Sequence, residues 1–480
     1  MLVKWKAVGY TRSSKDNRYN INLFSKGVLL ELFIFFKKWW MAIALTKLQH
    51  KQIEEKSETK LQAFQRKIYL KAKQNKEYKF YCLYDKVFRI DFLEEAYKRV
   101  KKSWWSGWID WINFEDLTWK ENEFIEEIHN DLKNQTYKPN KTREVKIPKW
   151  NWKFRTLKIP TIKDRVVQMS LKLVIEPIFE ADFEENSFWY RPNKSAHKAV
   201  WKLENVAFQE IYKKEENRKE VKNIDLSNCF DTIPHKELIL EIVKRVIDNE
   251  IIRLIRMILE SGINIEDTDN ENKEEGTPQW WVISPLLANI YLDKIDKYWK
   301  ENGKNYEIFR YADDIVIRLK PKDEQLYQEL ILYIEKDLKM KVNREKSTTE
   351  TIKNWITYLW FILKEATSWK WKKYILLEPS KKSKKKLNDN IKQLLNKKNP
   401  MSTEEIIKNL NYKLRGWHQY FDNITMSKTR ERLTRHIEWK LMRLISYRMK
   451  KEWIYWKEFI KGTLYTKYWL YKLKSLWRIF

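Results

Sequence analysis

Glycine is almost missing from this sequence: eight residues in 480, against 25 tryptophans. Ordinary glycine usage is roughly 7%, and a chain of this size needs glycine wherever a turn takes positive φ or two backbones approach closely. Cysteine is scarcer still. Cys82 and Cys229 stand far apart, which excludes a disulfide framework and a four-cysteine zinc site and fits a reducing cytoplasm. Long apolar runs are lacking as well. The stretch Val28 to Phe36 contains Glu31 and is too short to span a bilayer. Lys37 and Lys38 separate it from Ala42-Ile43-Ala44, against a signal-peptide pattern. The expectation is a cytoplasmic protein without membrane association.

Positive charge, by contrast, is abundant. Lys and Arg total 96 against 66 Asp and Glu, a net charge of +30. Such an excess attracts polyanions, above all phosphate backbones. A basic ribosome-associated factor and an enzyme acting on nucleic acid both satisfy it.

Residues 1–40 show no clear periodicity, and Met41 is a second candidate start. Residues 46–75 are charged and helix-favouring, with Leu61, Phe64, Ile68 and Leu70 loosely spaced for one face. Tyr84 to Lys101 predicts a helix with Phe92, Ala96 and Val100 on one side. Alternation in Val145-Lys146-Ile147 and Leu157-Lys158-Ile159 predicts a hairpin within 140–165. Helices are expected over Asp164–Phe179 and Pro285–Lys297, and a buried strand over Val221–Leu226. A hairpin with a polar turn is expected over Phe309–Leu319, and a further strand over Ile356–Leu363. After Pro379 comes the basic run Lys381 to Lys386, and the pattern then predicts helices over 384–396, 403–421 and 428–450. The domain break is placed near 380: an N-terminal extension over 1–40, an α+β domain over 41–380, and helices alone over 381–480.

Two segments put carboxylates at the edges of apolar strands: Asp225 to Asp231, and Arg310-Tyr311-Ala312-Asp313-Asp314-Ile315-Val316. Carboxylates are rarely buried without a partner, and two at one turn repel each other, so they call for a cation. Hard oxygen ligands suit Mg2+, which keeps some waters and shares substrate phosphates. Two such ions about 3.5–4 Å apart stabilise the attacking and leaving oxygens of an in-line displacement. Asp225 and Asp313 are the expected bridging ligands, with Asp314 beside them. Asp313-Asp314 also suits a plain turn, where aspartate is common. His197 has no nearby His or Cys partner and reads as a helix-surface or capping residue.

Tyr311-Ala312-Asp313-Asp314 resembles the palm motif of reverse transcriptases, and Asp225 to Asp231 resembles their first aspartate motif. Gly276-Thr277-Pro278-Gln279 through Leu292 is similar to the template and nucleotide loop of group II intron enzymes. Asn186 through His197 resembles another block of that family, Tyr358-Leu359-Trp360-Phe361 its primer-grip strand, and Leu414-Arg415-Gly416-Trp417 with Tyr420-Phe421 its thumb or maturase region. The blocks occur in the family's order across residues 80–450.

The resemblance implies a right-hand polymerase, fingers and palm followed by an all-α thumb/maturase segment. It implies an RNA-directed DNA polymerase using two Mg2+ ions and dNTPs on an RNA template with a DNA primer. Intron RNA is the partner it implies, with roles in splicing and retrotransposition. Arg155 and Arg165 match positions that hold the incoming triphosphate. Phe230 matches the aromatic residue that blocks a ribose 2′-hydroxyl, Gln279 lies in the nucleotide loop, and Asn343 and Lys346 match the lysine motif. Lys381, Lys382, Arg415 and Trp417 are the expected RNA contacts. The sequence ends at Phe480 without cysteines for a zinc-bearing nuclease domain, so priming at forks or existing nicks is expected. A maturase without polymerase activity, and a retron- or CRISPR-associated reverse transcriptase, remain as alternatives.

The match improves when several tryptophans are read as glycine. Trp280 and Trp281 stand where the family has a glycine pair, and Trp189 and Trp360 stand at family glycines. Trp108, Trp111, Trp150 and Trp152 occupy turn-like contexts. A gene that uses UGA for glycine, translated with UGA as tryptophan, explains both the excess and the deficit. Aromatic platforms for nucleic-acid bases are the competing explanation.

Overall fold

The computed structural model describes residues 59–102, 114–148, 154–214, 217–262, 275–278, 281–304, 306–422 and 427–449, with 464, 465, 469–471 and 473. Residues 1–64 and 65–480 cluster as separate compact units, and every site residue lies in the second. The expectations for 1–40, Trp108, Trp111, Trp150, Trp152, Gln279 and Trp280 fall outside the described residues.

Helix α1 spans Lys60–Gln74. The single helix expected from Tyr84 to Lys101 is instead two, α2 (Tyr84–Val87) and α3 (Ile90–Lys102). The cause is a competition for carbonyls. Ser170 Oγ donates to Val87 O at 2.5 Å, and His129 Nδ1 lies 2.6 Å from Phe88 O, so the groups that would continue the helix are taken by side chains. Helix α4 (Glu121–Lys133) follows, then the antiparallel hairpin β1 (Arg143–Pro148) and β2 (Phe154–Ile159). Helix α5 (Ile162–Glu180) starts where the Thr161 side chain accepts from Asp164 N, an N-cap of the usual kind. Helix α6 (Ala196–Glu210) starts the same way at Ser195.

The central sheet carries the chemistry. Strand β3 (Glu220–Ser227) pairs antiparallel with β5 (Asp314–Leu319), which pairs with β4 (Ile308–Tyr311). The other edge of β3 takes β6 (Lys341–Val342) and β7 (Thr348–Glu350) in succession. Helices α7 (His235–Val243), α8 (Asn249–Ser261), α9 (Ser284–Asn302) and α10 (Glu324–Leu332) belong to the same region. Val221, Phe309 and Val316 of the sheet, Leu203 and Ala207 of α6, and Phe421 share one apolar core.

The strand expected over Ile356–Leu363 is instead a tight hairpin, β8 (Ile356–Tyr358) and β9 (Phe361–Thr367), followed by β10 (Lys373–Pro379). Leu359 and Trp360 form its turn with φ of 48° and 72°. Positive φ at both central residues is the requirement of a two-residue hairpin turn, normally met by Asn-Gly or Gly. Trp371, in the β9–β10 turn, has φ 59°. The Trp371 indole stands in solvent, and that of Trp360 is half exposed with Lys386 over its ring. Trp360→Gly and Trp371→Gly are each expected to raise stability by about 1 kcal/mol through relief of left-handed strain, read as a higher thermal midpoint. A lower midpoint would show that the indoles hold the turns.

Three helices follow, α11 (Lys381–Leu394), α12 (Thr403–Phe421) and α13 (Ser427–Met449), close to the expected spans. Ser402 and Glu405 form a reciprocal capping box at α12. Leu387, Ile391, Leu410, Leu414, Leu441 and Leu444 make a second core. His197 is the capping residue expected, not a helix-surface one. It is half-buried, its Nε2 lies 2.7 Å from Tyr420 O, and its ring packs against Phe361 and Tyr420, tying α6 to the end of α12.

Candidate active site

Antiparallel register brings the two acidic segments together. Asp225 on β3 is the partner of Asp314 on β5, and Asp314 is also the partner of Tyr311 on β4. Ala312 and Asp313 form the intervening turn, Ala312 with φ 58°. Asp225, Asp313 and Asp314, which lie 88 or more residues apart in sequence across β3 and the turn, thus share one end of the sheet.

The electrostatics show what that costs. The Asp314 side chain is exposed at the start of β5, yet the protein around it partly desolvates its carboxyl. Desolvation, then Asp313, then Asp225 push its pKa up to about 7, and Lys346 opposes them. The Lys346 ammonium bonds Asp225 Oδ2 at 2.9 Å. Lys346 acts on both Asp225 and Asp314, and carboxylates drawn to one sheet end favour further positive charge. Among the described residues no three His, Cys, Asp or Glu side chains are gathered closely enough to cage an ion unaided. The donor set nonetheless fits a hard cation that keeps its waters and takes further ligands from a phosphate-bearing substrate.

Phe230 sits just past β3, in the short helical turn Cys229–Thr232. Its carbonyl accepts from Thr277 N at 2.7 Å, and the Trp189 ring meets its ring edge-on at 5.3 Å. Gly276 makes this approach possible: its φ is 98°, and a Cβ there would lie 3.1 Å from Asp231 O. The segment before Gln279 is therefore stitched to the Phe230 turn. Trp281, expected at a family glycine, is accommodated here as an indole. It is buried and donates from Nε1 to Lys158 O of β2 at 2.8 Å, while the next residue, Val282, donates from N to Gln168 Oε1 of α5 at 3.1 Å.

The arginines diverge. Arg155 falls on β2, opposite Ile147. Arg165 is buried in the first turns of α5, where desolvation pulls its pKa down to about 9. A charge held in that setting gains from an approaching polyanion.

In the C-terminal helices, Lys381, Lys382, Lys385 and Lys386 are exposed in the first turns of α11. That is the wrong end for cations, because the helix dipole is positive there. Phosphate oxygens at this end would satisfy both the lysines and the dipole. Lys381 stands over the Trp355 ring at 5.0 Å and Lys386 over Trp360 at 5.7 Å. Arg415 is exposed over the Tyr471 ring. Trp417 is the last of the expected RNA contacts. Its indole is half-buried against Phe421 and donates to Ser383 Oγ at 3.0 Å, which pins α11 to α12; one edge lines a cavity of about 340 Å3 with Trp360, Lys386 and Lys413.

Sequence reasoning missed the polar network beneath the Tyr311-Ala312-Asp313-Asp314 hairpin. Arg310 is wholly buried; its Nε and Nη2 donate to Asp296 Oδ2 at 2.8 and 2.6 Å, and Nη1 to Asn289 Oδ1 at 3.1 Å. The legible signal was an arginine inside an apolar strand, which demands a buried partner.

Residues 147–373 match the family model described as reverse transcriptase (RNA-dependent DNA polymerase), and residues 384–459 match the group II intron maturase-specific domain. The protein carries a reverse transcriptase domain, with the fingers-and-palm fold of that class. Protein YkfC of Escherichia coli (strain K12) is 30% identical over 266 residues, 48% of this chain and 69% of that protein. The group II intron-encoded protein LtrA of Lactococcus lactis subsp. cremoris is 35% identical over 177 residues, 37% of this chain and 28% of LtrA. A COX1/OXI3 intron 2 protein of Saccharomyces cerevisiae is 31% identical over 183 residues, 38% of this chain and 20% of its own length. The chain thus spans under a third of the two longer relatives. It belongs to the family of group II intron reverse transcriptases and maturases. Among the described residues no helix is long and apolar enough to cross a membrane.

Proposed function

We propose that this protein copies an RNA template into DNA from a DNA primer, using dNTPs, and that its helical segment over 381–480 serves as thumb and holds intron RNA for splicing and retrotransposition. The observation that carries the reading is the convergence of Asp225, Asp313 and Asp314 at one sheet end, with Phe230 on the adjoining turn. Asp225 and Asp313 would hold two Mg2+ ions, with Asp314 beside them. Bound there, the metal supplies charge stabilisation for the attacking and leaving oxygens. Lys346 holds Asp225 in place and is free to trade that carboxylate for a triphosphate oxygen. Phe230 faces the sugar and selects deoxyribose, while Arg155, Arg165 and Gln279 serve the incoming nucleotide. Lys381, Lys382 and Arg415 track RNA phosphates. On the same reading Trp360 and Trp371 are glycines in the native host, as left-handed backbone supports.

One preparation tests the two halves. Full-length protein with glycine at 189, 280, 281, 360 and 371 should extend a DNA primer on RNA, and Asp313→Ala in that background should lose the activity while still binding intron RNA. Replacing Lys381, Lys382, Lys385 and Lys386 by alanine should flatten the salt dependence of RNA binding by a log–log slope of about 3. RNA binding without any DNA synthesis would favour the maturase-only alternative.

The site also sets a pH dependence. A native carboxyl raised to about 7 holds its proton where the unfolded chain has released it. Between about pH 4 and 7 the folded form therefore binds more protons, and metal-free stability falls as pH rises through that window. Mg2+ should then raise the thermal midpoint more at pH 8 than at pH 5.5. Equal increments at both pH values would contradict the assignment.

A further inference from the structure

The loop 186–190 lies between the two parts of the site. Its backbone is fastened to Arg310, with Arg310 N donating to Asn186 O at 2.9 Å and Phe188 N donating to Arg310 O at 3.0 Å. Its far end carries Trp189, against Phe230, and Tyr190, with φ 48°; burial first, and then Tyr190, raise the pKa of the Tyr311 phenol. One side chain fixes that end. Asn289, buried on α9, donates from Nδ2 to Trp189 O at 2.8 Å and accepts from Arg310 Nη1 at Oδ1. The amide orientation is set by chemistry, since a guanidinium only donates and a carbonyl only accepts.

From this we infer that Asn289 is a positioning residue for sugar selection. It ties the buried Arg310 under the aspartate hairpin to the loop that backs Phe230, so the aromatic ring and the carboxylates keep a fixed separation across a bound nucleotide. The bond runs to a backbone carbonyl and so holds the loop's end with either side chain at 189, but the contact with Phe230 is the Trp189 ring itself, and the inference is for the chain that keeps this tryptophan. The inference rests on the polymerase reading above.

Asn289→Asp separates the two bonds. A carboxylate still accepts from Arg310 but cannot donate to Trp189 O, which it repels instead. The test is steady-state incorporation of a dNTP and the matching rNTP by full-length protein that keeps Trp189 and carries glycine at 280, 281, 360 and 371. For Asn289→Asp, KM for the dNTP should rise and the dNTP preference over rNTP should fall, each about tenfold, with kcat for dNTP nearly kept. Asn289→Ala loses both bonds and should lose the same preference along with kcat. A residue that served stability alone would lower the active fraction for both nucleotides and leave their ratio untouched. An unchanged ratio in both variants would therefore overturn the inference while leaving the polymerase reading intact. Absence of synthesis by the parent protein would remove that reading, and the inference with it.

Discussion

Asp313→Ala is expected to lower DNA synthesis by at least about a thousandfold, with the fold intact. The side chain belongs to the turn between β4 and β5 and carries none of the apolar core. Removing it relieves part of the repulsion that pushes Asp314 upward. Asp225→Asn should match it in effect, because Asp225 is the carboxylate that Lys346 holds from across the site. Asp314→Asn should be milder, about ten- to a hundredfold, as fits a group beside the bridging ligands. Single-turnover primer extension on folded protein measures all three. Equal losses at all three positions would show that no carboxylate is subordinate.

Asp296→Ala should produce the largest loss of stability, about 3–5 kcal/mol. Asp296 and Arg310 are both fully buried, and two N–H groups converge on one carboxylate oxygen. Burial pushes Asp296 up to about 6 while Arg310 pulls it down, and Asp296 in turn holds the guanidinium charged. The shared geometry decides for an ion pair at neutral pH. Deleting the carboxylate strands a guanidinium in the core, directly under the turn that bears Asp313. Pairing Asp296→Ala with Arg310→Met should recover most of the loss, since a buried pair replaced by apolar groups is often neutral. Denaturant midpoints of the single and double variants test this. A single variant within 1 kcal/mol of the parent, a bound set by the same comparison, would mean water or another carboxylate reaches Arg310.

Much of this was legible in the sequence because it rested on local rules. Three C-terminal helices, α5, α9, the β1–β2 hairpin and the aspartate hairpin follow from periodicity and punctuation. Asp225, Asp313 and Asp314 could be paired because carboxylates on apolar strands need a shared cation. What escaped depended on partners distant in sequence. The break between α2 and α3 is made by Ser170 and His129. The Asp296–Arg310–Asn289 network and the burial of Trp417 likewise come from packing that no window of sequence contains. The β8–β9 turn escaped for a different reason: although Trp360 stands at a family glycine, the largely apolar run from Ile356 to Leu363 gives the pattern of one strand.

Magnesium-dependent primer extension on an RNA template tests the account most directly. It would use the full chain with glycine at 189, 280, 281, 360 and 371, run beside the literal tryptophan form and Asp313→Ala. The account expects DNA synthesis by the glycine form, little by the tryptophan form and none above background by Asp313→Ala. A folded glycine form that binds intron RNA and makes no DNA would contradict it.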